Sequence, residues 1–131
     1  MTIPLWSLFV AMLLPTVAAV AGSVARYRSP AGLDNHNPRQ QAAQLEGFGA
    51  RAYAAQANAW EALALFTVAV FINHVAQGDP AWSAALAVAF IGFRVGHLLA
   101  YLGNLATLRS LFYALALFAC IGLVVLGALA A

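Results

Sequence analysis

Lysine is missing from this chain of 131 residues, and Asp and Glu together number four, so only 8% of the sequence is charged. A soluble domain carries about a quarter of its residues charged and about half apolar. At 64% hydrophobic this chain lacks the polar surface to enclose a core in water, and a soluble enzyme is excluded. Cysteine occurs once, at Cys120, which rules out an intrachain disulfide and any metal site built on Cys/His spacing. In its apolar run Cys120 reads as a small buried hydrophobe. The formal charge of +2 is too weak to imply a nucleic-acid partner. No basic residue precedes the first apolar run, which therefore lacks the charged start of a cleaved signal peptide and is expected to be retained.

What is present is apolar sequence in helix-length runs. Four spans are expected over about 4–24, 45–75, 81–102 and 109–130, because a helix needs about 20 apolar residues to cross the bilayer. The whole chain, 1–131, reads as a single all-α integral membrane domain, a bundle of four transmembrane helices. Pro15 is expected to kink the first span, a packing device that a bundle tolerates. The second span is about thirty residues, or about 45 Å, against a hydrocarbon core of about 30 Å, so its first turns should project or tilt. Gln77-Gly78-Asp79-Pro80 breaks the chain after it, and Trp82 is placed to anchor the next span at the interface. Between the first two spans lies the one long polar loop, about 26–44, containing DNHNPR. Two readings stay open for it, a solvated connector or a segment folded over a membrane-embedded site.

Polar residues inside the spans are few and patterned. Arg51-Ala-Tyr-Ala-Ala-Gln56-Ala-Asn58-Ala-Trp-Glu61 places Arg51 and Asn58 about 20° apart on a helix, with Glu61 about 60° further round. On the third span Arg94, His97 and Tyr101 fall at i, i+3 and i+7, again on one face. A carboxylate at that depth costs about 2.5 to 3.5 kcal/mol even on insertion scales, so Glu61 is expected to be ionised and paired with Arg94 or Arg51, of its own chain or a neighbouring one. Such groups form either a structural ion pair that fixes helix register or a polar ligand pocket. Arginines follow the first and third spans and none follows the second. By the positive-inside rule the loop is expected to be cytoplasmic and both termini outside the cytoplasm.

The order R-x-Y-x-x-Q-x-N-x-x-E, then R-x-x-H-x-x-x-Y, then an Arg opening the fourth span resembles the MAPEG family, the membrane-associated proteins in eicosanoid and glutathione metabolism. The likeness covers nearly the whole chain. DNHNPR and YLGNLATLRSLFY look like its bacterial branch. The resemblance implies a homotrimer that binds glutathione as co-substrate at subunit interfaces near the cytoplasmic side. It implies that Arg51, Gln56, Asn58 and Glu61 contact the peptide, with the carboxylate meeting its amino group. It also implies that Arg94, His97 and Tyr101 occupy the corresponding positions on the third span. Arg109 would lie near the thiol, and Arg26 or Arg28 would serve the same end from the first span. No metal is implied.

The implied activity is a glutathione-dependent transferase or peroxidase acting on apolar electrophiles. Ala54 stands where glutathione-using members commonly carry a further arginine, Ala62 where some carry tyrosine, and His97 where tyrosine is usual. Losing one guanidinium removes a charge-assisted contact worth about 1.5–3 kcal/mol. A non-catalytic subunit that binds lipid or a partner within a larger membrane complex is therefore the alternative. A small transporter is disfavoured by the lack of broken-helix repeats.

Overall fold

The computed structural model describes residues 1–130. Five helices follow in order: α1 (Ile3–Tyr27), α2 (Pro38–Ala43), α3 (Gly47–Val75), α4 (Pro80–Leu102) and α5 (Ala106–Ala130). All but α2 are long and apolar enough to cross a membrane. The four form an up-down-up-down bundle. Gly22 of α1 meets Tyr53 of α3, and Gly96 of α4 meets the Phe112 ring of α5; in both places a Cβ would collide with the ring. Glycine is what lets those aromatic side chains lie flat on the neighbouring helix.

Elsewhere the interhelical surfaces are lined by alanine, with Ala18, Ala52, Ala55, Ala62, Ala69 and Ala87 all buried. Small side chains bring backbones close, which is how helices gain packing energy where water supplies no driving force. At mid-bundle Phe66 and Phe90 stack with centroids 3.9 Å apart and planes 5° from parallel, and Leu123 packs in the same cluster. The outer surface is the inverse of a soluble protein's: Phe71, Trp82, Phe118 and Leu129 are exposed. Lipid is the solvent these side chains require.

Helix ends follow from local chemistry. Proline stands in the first turn of α1, α2 and α4, where its missing N–H costs nothing. Asp79 caps α4 by accepting from the Ala81 and Trp82 amides at 3.0 and 2.9 Å. Gln77 and Asn104, at φ 57° and 59°, each follow a helix end in the left-handed conformation. The amides of the residues after them return to Asn73 and Ala100 at 3.0 and 2.8 Å, closing α3 and α4.

Two local differences from the sequence reading have physical causes. The α1 helix continues to Tyr27 and α5 begins at Ala106, because interfacial turns remain helical where composition has already turned polar. The long loop contains α2 and is held from beneath. Arg26 is buried, donating from Nε to Gln41 Oε1 at 2.8 Å and from Nη2 to the Asp34 carbonyl. Gln41 in turn donates to the Gly32 carbonyl at 2.6 Å. The Asp34 carboxylate accepts from the His36 and Asn37 amides at 2.8 and 3.0 Å. The loop is thus a built turn and not a loose connector.

The backbone amide of Asn37, then that of His36, hold the Asp34 carboxyl below its ordinary value of 3.8. A carboxyl depressed by folding stabilises the loop at all pH above its unfolded value, and the contribution fades as pH falls through the folded one. The protection of the His36 and Asn37 amides against hydrogen exchange, taken relative to the intrinsic rate at each pH, is therefore expected to hold from neutral pH down to about 4.5 and to fall below the ordinary carboxylate range; Asp34→Ala should lower it above that range and change little below it. In the core, Phe66→Ala removes one partner of the stacked pair and should lower stability in detergent by about 3–5 kcal/mol, read as a drop in unfolding temperature.

Candidate functional site

The topology gathers charge at one end. The α2 end of the bundle holds Arg26, Arg28, Arg39, Arg51 and Arg109, with Arg94 about two turns further in along α4. The opposite end, formed by the chain start and the α3–α4 turn, has no arginine.

Arg94 is 3% exposed. Its Nη2 donates to Asn58 Oδ1 at 2.8 Å and to the Asn58 carbonyl at 3.3 Å. The Asn58 amide then points onward, with Nδ2 at 3.4 Å from Glu61 Oε2. This corrects the expected direct pairing of Glu61 within the chain. Asn58 stands between the two charges, and Glu61 is exposed on the outer face of α3. Geometry explains the substitution: Asn58 and Glu61 are one turn apart, so the shorter side chain facing α4 reaches the guanidinium first. Arg51 is likewise engaged elsewhere, its Nε donating to the Leu102 carbonyl at the end of α4 at 3.3 Å. A cation there meets the partial negative charge of a helix C-terminus.

One turn toward the basic end of α4, His97 is also 3% exposed. It meets Tyr101 edge-on at 5.5 Å and Tyr113 of α5 at 6.4 Å. Above Tyr101 sits Arg109, its guanidinium carbon 4.6 Å from the ring centroid, a cation–π contact that fixes the side chain without consuming its N–H donors. Together Asn58, His97, Tyr101, Arg109, Ser110 and Tyr113 line an open cavity of about 250 Å³. A narrow crevice lined by Glu61, Arg94, Tyr113 and Cys120 lies on the other side of Tyr113, which borders both.

Asn58, His97, Tyr101 and Arg109 thus converge as the sequence pattern suggested, with Glu61 and Arg94 beside them. Four others do not join them, Arg51 at the end of α4 being the first. Gln56 is half-buried on α3 with no side-chain hydrogen bond among the described residues. Arg26 is committed to the loop, and Arg28 lies on the α1–α3 side with Glu46 and Phe48. Two lining residues escaped the sequence reading. Tyr113 follows Arg109 by four positions, a spacing that places both on one helix face. Ser110 carries no comparable signal, since a serine in a first helical turn is ordinary.

A guanidinium above an aromatic wall, with hydroxyls and an amide around a small open cavity, suits an anionic group delivered to the membrane boundary. The fold and this cluster define a four-span membrane protein whose polar site is recessed into the basic end of the bundle. More particularly, the chain belongs to the MAPEG family, whose sequence model matches residues 3–129. No curated protein and no solved structure matches it.

The Arg94–Asn58 contact can be tested by a double-mutant cycle. Asn58→Leu removes the side-chain acceptor of a buried guanidinium and leaves it the Asn58 carbonyl alone, a loss of about 1.5–3 kcal/mol for a hydrogen bond to a charged group. Arg94→Met combined with Asn58→Leu removes both partners, so the double variant should unfold at a higher temperature than Asn58→Leu alone.

Proposed function

We propose that this protein is a glutathione-dependent transferase or peroxidase that acts on apolar electrophiles at the boundaries between three copies of the chain. The observation that carries the reading is Arg109 held over Tyr101 at 4.6 Å at the edge of a cavity that His97, Ser110 and Tyr113 share. Glutathione brings two carboxylates, an ammonium and a thiol. Arginines and an amide suit the first, the exposed Glu61 carboxylate suits the second, and Arg109 suits the third. A fixed guanidinium beside a thiol favours the thiolate and so raises the nucleophilic fraction near neutral pH.

The thiolate sulfur would attack the electrophilic carbon of an apolar substrate arriving from the lipid, forming the S–C bond as the leaving group departs with the electron pair. With a hydroperoxide, the sulfur would instead attack the peroxide oxygen, breaking the O–O bond to release an alcohol and leave a sulfenic acid; a second glutathione thiol then displaces water from that sulfur to close the disulfide. Glu61 is exposed at the surface of its own bundle, which fits a ligand bridging two copies. Arg28, exposed at the end of α1, is the first-span arginine free to reach a neighbouring site, because Arg26 holds the loop. In this reading the basic end is cytoplasmic, both termini are periplasmic and the membrane is a bacterial inner membrane.

Calorimetry of the detergent-purified protein with glutathione tests this. Saturable binding that Arg109→Ala or Glu61→Gln weakens at least ten-fold is the expected result. Absence of heat up to about 10 mM, or about −2.7 kcal/mol, would instead favour the non-catalytic subunit that binds lipid or a partner. The half-buried Ala54, which offers no guanidinium to the site, favours that second reading.

A further inference from the structure

The end of the bundle away from the arginines carries a cavity that the proposed activity does not use. It measures about 600 Å³ and lies between the start of α1 and the α3–α4 turn, within the range of small-molecule sites, about 300–1,000 Å³. Its polar floor is Asn73 and Ser83, 4% and 3% exposed. The Asn73 amide donates to the Leu123 carbonyl at 2.9 Å and its oxygen accepts from Ser83 Oγ at 2.7 Å. That leaves one amide hydrogen on Asn73 and the lone pairs of Ser83 for a ligand. Gly78 keeps the floor open, since a Cβ there would collide with the Asn73 amide nitrogen. Thr2, His74 and Gln77 add polar groups to the lining, which contains no Arg, Asp or Glu.

Ile3 also borders a second space, a groove of about 300 Å³ between α1 and α4 with Trp6, Val10, Val88 and Ile91 on its walls. From Ile3 to Val10 is about 10 Å along α1, directed from the bundle end toward its middle. Trp6 and Trp82 are exposed at this end, the level at which indole rings mark the bilayer interface. The polar chamber at the interface and the apolar groove that runs toward the hydrocarbon thus meet at Ile3.

We propose that this end binds a neutral amphiphile with one acyl chain. A hydroxyl-bearing, uncharged headgroup of the monoacylglycerol class sits on Asn73 and Ser83, and its chain lies in the α1–α4 groove. Charge selects the class. An anionic head would find no arginine in the chamber and a cationic head no carboxylate, whereas hydroxyls match an amide hydrogen and serine lone pairs. The groove selects against a solute without a tail.

Native mass spectrometry of the full chain in detergent, with monoolein as the probe, tests the assignment. One monoolein per chain is expected, bound at least ten-fold more tightly than lysophosphatidylglycerol of matched chain length. Ala84→Phe, which fills the chamber, should weaken it at least ten-fold. So should Val88→Trp, which obstructs the groove from a position already 57% exposed and therefore leaves the bundle intact. Arg109→Ala, at the other end, should leave binding unchanged. Equal binding of the anionic lipid, or monoolein binding that survives Val88→Trp, would overturn the proposal.

Discussion

An arginine buried among apolar helices is the constraint on which this structure turns. A guanidinium near the middle of a bilayer is tolerated only where the protein supplies acceptors and directs it inward. Arg94 has both: it points into the bundle, and Asn58 offers a side-chain oxygen at 2.8 Å and a carbonyl at 3.3 Å. That demand fixes the register of α4 against α3. With Arg94 set, His97 and Tyr101 follow at one-turn intervals on the same face, and Tyr101 provides the ring on which Arg109 of α5 rests at 4.6 Å. One satisfied charge therefore orders a column of side chains that runs to the end of the bundle.

The two ends divide the work by electrostatics. Arginine is confined to the half that carries α2, where Arg26 organises the loop, Arg51 meets the end of α4 and Arg109 lines a cavity. The other half joins its helices by neutral hydrogen bonds, with Asn73 linking α3 to α4 through Ser83 and to α5 through the Leu123 carbonyl. Both devices satisfy buried polar groups that lipid cannot. They leave chambers of different character: one lined by arginine and aromatic rings, the other without an arginine or a carboxylate.

Much of this was readable from the residues. Span number followed from apolar length, and the Arg94, His97 and Tyr101 face followed from helical spacing. Family membership followed from the order of rare intramembrane polar groups, and the match over residues 3–129 supports it. Pairing was harder. Opposite charges suggested Arg94 to Glu61, but which side chain arrives first depends on reach across α3 and α4, and Asn58 is nearer. Arg26 read as a loop arginine and a candidate for the thiol because its buried acceptors, Gln41 and the Asp34 carbonyl, lie in a loop whose fold periodicity does not describe. Asn73, Ser83 and Ser110 are single small polar residues in apolar or ordinary helical settings, so only three-dimensional convergence gives them meaning.

The central claim is that the arginine end of a MAPEG bundle turns a peptide thiol into a nucleophile. Ultraviolet absorbance of the thiolate reads this directly on mixing protein and glutathione near pH 7, where a free thiol of pKa about 8.5 is almost wholly protonated. The account predicts thiolate in proportion to protein, lost in Arg109→Ala and retained when Arg39, an exposed loop arginine, is replaced by Ala. Bound glutathione that remains protonated, or thiolate that persists without Arg109, would contradict it.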